Sequence, residues 1–410
     1  MSSFLTKIVR SGFTKFFIAN AFYSASTALI TLFSPSFLNN SVYTDFIYLF
    51  QMVLFLTGIF TLGLVPGLLR FYKLDNNRYS YYYYITIAFI IGILLSLGFF
   101  PQNFLSHALN IITPSISSSL IIYGSTVLGL LFIFNRGVEV ARSNYGTILR
   151  HSLLIFVVRL ALLFLIKYSN VSSPYVVLFL LCVLPFVYEM IIFLIAISKQ
   201  KRCSLKGYVD FLSFIIKIAL GGIIFSATSR LYIISSRALD PTLAASLSFA
   251  SGLTGIISLF NTTIINVFIG KLDHRDYGGI TKYLNKVKVN LFPFLFLVFL
   301  LGIAVFALVV LIYPENSMQA SVLSSLTVVH CASLSYLGLI TLLAKTYNLL
   351  NRQIIVNIIT YILVWIFVKI VADSLNPYIA YFIINGIIFL MELIFALTII
   401  RYIKKISVLC

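Results

Sequence analysis

The sequence predicts an all-α integral membrane protein, with twelve transmembrane helices in two six-helix lobes around a central cavity. Three observations carry this. Of 410 residues, 60% are hydrophobic and only 10% charged, whereas soluble domains carry about 25% charged residues. Twelve apolar segments are each long enough to cross a bilayer. The Lys and Arg residues fall almost entirely into alternate gaps between those segments.

A spanning helix needs about 20 mostly apolar residues to cross about 30 Å of hydrocarbon at about 1.5 Å per residue. The segments that qualify are 13–33, 42–69, 81–100, 115–134, 149–169, 174–197, 208–235, 240–270, 289–312, 318–344, 353–371 and 376–400. The first follows a basic lead, Met1–Lys15, and is too long for a cleavable signal core, so it reads as a retained helix. The second carries Gly63, Pro66 and Gly67 near its end, and the seventh carries Gly221 and Gly222, spots where a helix bends or unwinds inside protein. The third begins with Tyr79 and Tyr81–Tyr84, which read as an interfacial aromatic belt. Helix count divides the chain into an N-terminal lobe (1–198), a cytoplasmic linker (199–207) and a C-terminal lobe (208–410). The remaining loops are short and contain Pro35, Pro101, Pro114, Pro174, Pro241, Pro314 and Pro377, which leaves no room for a soluble catalytic domain.

Charge tests the count. The chain has 29 Lys and Arg against 11 Asp and Glu. Alternating from a cytoplasmic N-terminus puts 23 of the basic residues in inside segments and only Lys167, Arg237 and Lys369 in outside segments. That asymmetry places both termini in the cytoplasm. It also removes nucleic acid as a partner, because the cations lie at membrane boundaries and not on one soluble face. Cys182, Cys203, Cys331 and Cys410 are scattered, as are the four histidines, so neither a metal centre nor a disulfide framework is expected and no cofactor is implied.

Three cations stay within the apolar segments: Arg159, Lys217 and Arg230, with two acids, Glu189 and Glu392. Counting residues from the inner helix ends puts all but Arg230 about 13–15 Å deep, near mid-bilayer; Arg230 lies nearer the outer side. Such charges are costly in lipid and face a cavity or one another. Arg159 and Glu189 lie on adjacent helices and can pair. Arg230 and Lys217 are the stronger candidates to receive an anionic group, since Arg and Lys both suit phosphate. The polar residues of the eighth segment, Asn261 among them, and Asn20 and Tyr23 on the first, would line the same cavity. Glu189 and Glu392 are the candidate protonation or ion-coupling sites.

The segment Leu62–Tyr72, with Gly63, Gly67 and the boundary cation Arg70, resembles the Gly-rich end of the second helix in bacterial polysaccharide repeat-unit flippases of the O-antigen type. These belong to the superfamily that also holds multidrug and toxin extrusion transporters and the lipid II flippase. The usual acidic residue before the first glycine is Leu62 here. The resemblance implies a non-enzymatic transporter of the bacterial inner membrane. It implies that the chain flips undecaprenyl-diphosphate-linked oligosaccharide from the cytoplasmic to the outer leaflet by alternating access. It places Arg70 and Arg230 among the contacts, keeps the polyprenyl tail among membrane lipids, and leaves open H+ or Na+ coupling and a polysaccharide polymerase as partner. The rivals are a multidrug exporter, which would want acids in its cavity, a lipid II-type flippase, and a membrane enzyme, which would want a large outer loop or an acidic cluster.

Overall fold

A computed structural model describes residues 12–61, 63–72, 75–169, 171–201, 203–254, 280, 283–285, 287, 289–312, 317–341, 343, 349–371 and 374–409. The chain is all-α over these residues and crosses the membrane many times: eleven described helices are long and apolar enough to span it. Helices are the form a chain must take there, because lipid offers no partner to backbone N–H and C=O groups. The expected eighth span, 240–270, is helical over 241–254, and residues 255–270 lie outside the described residues.

The elements are α1 (Gly12–Phe37), α2 (Asn40–Phe60), α3 (Leu64–Phe71), α4 (Asn76–Gly98), α5 (Phe104–Ala108), α6 (Ile116–Ala141), α7 (Tyr145–Ser169), α8 (Pro174–Leu178), α9 (Val187–Ser198), α10 (Tyr208–Leu239), α11 (241–254), α12 (Leu291–Ile312), α13 (Ser317–Thr341), α14 (Leu350–Ile370) and α15 (Pro377–Leu409). The chain divides into two compact units, Met1–Ser226 with Arg237–Ala245, and Ala227–Ser236 with Ser246–Cys410.

In the first unit α6 is the most enclosed span and touches α2, α3, α4, α7 and α9. Helix α7 lies along α1. It buries one stripe, Ile148, Ser152, Ile155, Arg159, Leu163 and Ile166, at helical spacing, and leaves Leu153, Leu154 and Val157 outside. In the second unit α12 packs on α13, and α13 and α14 pack on α15. Phe395, Ile399 and Ile403 of α15 close a core with Ile280, Leu343 and Leu349.

One feature follows the sequence expectation and two differ from it. The second span breaks before Gly63, which adopts φ 66°, and resumes as α3, at the glycines where the sequence places a bend or unwinding. A Cβ at Gly63 would lie 2.8 Å from Ile218 Cγ2, and one at Gly67 would lie 2.7 Å from Ile215 Cγ1, so these glycines let α3 press against α10. The fourth span runs seven residues past the expected 134, to Ala141, and takes Arg136 out of the loop. The tyrosine run is no interfacial belt: Tyr82, Tyr83 and Tyr84 are buried in protein. The Tyr82 hydroxyl donates to the carbonyls of Ser204 (2.5 Å) and Lys206 (2.7 Å), which fastens the 199–207 segment, and Tyr83 donates to Phe134 O at 3.0 Å. Phenol rings with a satisfied hydroxyl suit such a partly wet core.

Candidate functional site

Each unit holds its own polar cluster. In the first it is built around Arg159, and a proline builds it. Pro185 has no N–H, so the carbonyl four residues earlier, Leu181, loses its helical donor. The chain passes through a π-turn (Phe179–Val183) and a 3-10 turn (Leu184–Phe186) before α9 resumes. Arg159 Nε donates to the freed Leu181 carbonyl at 3.1 Å. Its Nη1 donates to Ser26 Oγ (3.0 Å) and Thr27 Oγ1 (3.2 Å) on α1. Both hydroxyls spend their own protons on the Tyr23 carbonyl, at 2.7 and 3.3 Å, and so present lone pairs to the guanidinium. The ring of Phe186 lies 4.8 Å from the Arg159 guanidinium carbon and that of Tyr23 5.8 Å. Tyr23 in turn stacks on Phe132 at 4.7 Å.

Glu189 lies in the first turn of α9 and is fully enclosed by protein. Asn135 Nδ2 donates to its Oε2 at 2.6 Å and to its backbone carbonyl at 3.1 Å. Oε1 has no hydrogen-bond partner in the structure, and the His151 imidazole Nδ1 lies 3.5 Å from it. The Arg159–Glu189 link suggested by their adjacent helices is absent from the ion pairs among the described residues, because each group is engaged elsewhere. Reading the chain alone misses Arg136. It stands on α6 next to Asn135, with Phe16 and Phe132 rings 5.4 and 5.7 Å away and its Nη2 buried without a hydrogen-bond partner. The signal was there: residues 135–141 continue the helical pattern, but a cation after 134 reads as the end of a span.

In the second unit Arg230 is half-buried within electrostatic reach of Tyr381. The Tyr381 hydroxyl shares a 2.8 Å hydrogen bond with Thr327 Oγ1, and its ring stacks with Tyr232 at 6.2 Å. Glu392 is half-buried on α15, with no ion pair among the described residues.

The other expected residues scatter. Lys217 is exposed on α10, one turn beyond Phe214. Arg70 is exposed at the end of α3, with its guanidinium 4.4 Å over Phe214. Asn20 is buried on α1, one turn before Tyr23. Asn261 lies outside the described residues. The structure therefore brings Tyr23 and Arg159 together, on the same helix pair as Asn20, while Arg230 belongs to the other unit.

No family model and no curated protein matches the sequence. Solved structures do match, over nearly their whole length. A MOP superfamily transporter from Pyrococcus furiosus, described as having a binding pocket of reverse polarity that suggests a different function, is 11% identical with a TM-score of 0.62, covering 97% of this chain and 98% of its own. This chain shares the fold of that solved transporter. An inward-facing multidrug resistance MATE family transporter of the superfamily is 12% identical, with a TM-score of 0.58 over 96% of this chain and 95% of its own. The eukaryotic MATE transporter AtDTX14 is 14% identical, with a TM-score of 0.58 over 95% and 96%. The MOP fold thus accommodates this sequence end to end at an identity too low to carry residue roles across.

Proposed function

We propose that the chain moves an anionic, amphiphilic molecule across the membrane by alternating access, and that this cargo is an undecaprenyl-diphosphate-linked oligosaccharide of the O-antigen type, flipped from the cytoplasmic to the outer leaflet of a bacterial inner membrane. The fold supports transport. The observation that carries the anionic cargo is the balance of charge nine or more residues from either end of a span: Arg159, Lys217 and Arg230 against Glu189 and Glu392. Guanidinium and ammonium groups at membrane depth are retained where they meet an anion or a wet cavity. Arg230, beside Tyr381 and Thr327, pairs a cation with hydroxyls, the set that a diphosphate carrying a sugar needs. In this reading Lys217 and Arg70, both exposed, meet the headgroup on its way, and Tyr23 and Asn20 contribute polar groups to its path. Glu189, enclosed with one unbonded carboxylate oxygen beside His151, is the ion-coupling residue of this proposal.

The second reading is a multidrug exporter, favoured by the MATE transporters among the structural relatives. Purified protein in vesicles separates the two. Outer-leaflet arrival of a polyprenyl-diphosphate-linked glycan, reduced at least tenfold by Arg230→Ala, supports the first. Efflux of cationic dyes with no glycan movement replaces it with the second. In the same vesicles Glu189→Gln should uncouple flux from an imposed pH gradient; gradient-driven flux that persists in this variant removes Glu189 from the mechanism.

A further inference from the structure

The segment joining α4 to α6, residues 99–115, contains no Lys, Arg, Asp or Glu. It is pinned to the first unit at several points. The Asn103 side chain donates to the carbonyls of Leu97 (3.0 Å) and Phe100 (2.9 Å) and accepts from the Ser106 amide (2.9 Å) and the Tyr123 hydroxyl (2.8 Å). Tyr48 donates to the Leu109 carbonyl, Tyr175 to that of Ile112, and Thr113 to that of Pro101. A backbone anchored in this way cannot collapse to hide its side chains. Yet its large apolar groups point outward: Phe104 is 82% exposed, Ile112 78%, Phe100 65% and Phe99 60%. A patch of this kind marks a surface that something covers.

Two facts say what covers it. The patch continues the exposed apolar faces of two spans: Phe89, Ile93 and Phe100 fall on one side of α4 and its extension, and exposed Ile116 opens α6. It also lacks Lys, Arg, Asp and Glu, and its one titratable side chain, His107, can enter the headgroup region as a neutral imidazole, so immersion does not require burying an ion. We propose that residues 99–116 form an interfacial cap, with Phe99, Phe100, Phe104, Ile112 and Ile116 seated in the headgroup–acyl boundary of the leaflet away from the basic loops. The partner is membrane lipid. The tyrosine pins fix the depth of the first unit in the bilayer through this cap, as an amphipathic interfacial segment does.

The test uses the full chain in phospholipid vesicles. The sequence has one tryptophan, Trp365. In a Trp365→Phe background, Phe104→Trp and Ile112→Trp place a reporter at each end of the cap. Lipids brominated near the top of the acyl chain should at least halve the emission of both, and aqueous iodide should leave it nearly unchanged. Quenching by iodide but not by brominated lipid overturns the proposal in favour of a water-exposed loop. Protection from both overturns it in favour of a protein partner or a second copy. Hydroxyl-radical oxidation of the unsubstituted chain in vesicles gives an independent reading: Phe99, Phe100 and Phe104 should be oxidised no more than Phe89 within the α4 span, and labelling well above Phe89 sinks the cap.

Discussion

Arg159 shows what a single residue does here and how far its sequence foretells it. Its depth is legible, because counting from the inner end of its helix puts it near mid-bilayer. Its partners are not, because the Leu181 carbonyl is free only through Pro185, and Ser26 and Thr27 come from a helix more than 130 residues away. Hydrogen bonds from a charged group contribute about 1.5–3 kcal/mol each. Arg159→Lys keeps the charge but loses the planar fork that reaches Leu181 and α1 together. It should lower the unfolding free energy of the detergent-solubilised protein by about 2–4 kcal/mol, read as a fall in Tm; an unchanged Tm would mean that the three bonds contribute nothing. A second residue sets a pH dependence. Burial pushes the Asp240 carboxyl up, but the Thr242 hydroxyl and the amides of Leu243 and Thr242 outweigh it and hold the group below the ordinary carboxylate value. A carboxyl depressed in the folded state stabilises above its unfolded pKa, and that stability is lost as pH falls through the folded value. Asp240→Ala should therefore cost about 0.5–2 kcal/mol at neutral pH, and the difference from the parent should vanish only below the normal carboxylate range. An equal loss at neutral pH and below the normal carboxylate range would remove the carboxylate from the account.

At the scale of elements, apolar length alone foretells most of the spans, because lipid dictates length and composition together. What it does not foretell is where a span ends or breaks. Helix α6 continues past the cation Arg136, because Phe16 and Phe132 shield the guanidinium inside protein. The tyrosine run reads as a belt in one dimension, but the 199–207 segment folds over it and offers carbonyls to Tyr82. The break before α3 is legible as a glycine and illegible as a contact: it takes the fold to put Ile218 against Gly63. Gly63→Ala meets both a left-handed backbone and that close approach, and should cost about 1–3 kcal/mol in backbone strain alone. Gly58, in α2, has nothing within 4 Å of its virtual Cβ, so Gly58→Ala should be neutral or slightly stabilising. Thermal unfolding of the pair checks the argument: equal Tm values would show that the α3–α10 approach is not what Gly63 serves.

For the whole molecule, the charge split and the span count are independent statements about parity. Moving Arg136 into α6 does not disturb the split, since it sits five residues from the helix end at Ala141, about 8 Å from that boundary. Eleven spans are described, and an odd number puts the termini on opposite sides. The expected eighth segment, 240–270, restores an even number, and the basic residues after it, Lys271, Arg275, Lys282, Lys286 and Lys288, require that it cross if they are to stay on the cytoplasmic side. Fluorescent-protein and alkaline-phosphatase fusions at each end decide this. Both termini should support cytoplasmic fluorescence and neither should support phosphatase activity. An active phosphatase at the C-terminus alone would mean an odd number of crossings; it would place the cations between 271 and 288 outside and invert every span after the seventh, the one carrying Glu392 included. The direction of any flip rests on that parity, because a carrier oriented the other way would present its deep cations to the opposite leaflet.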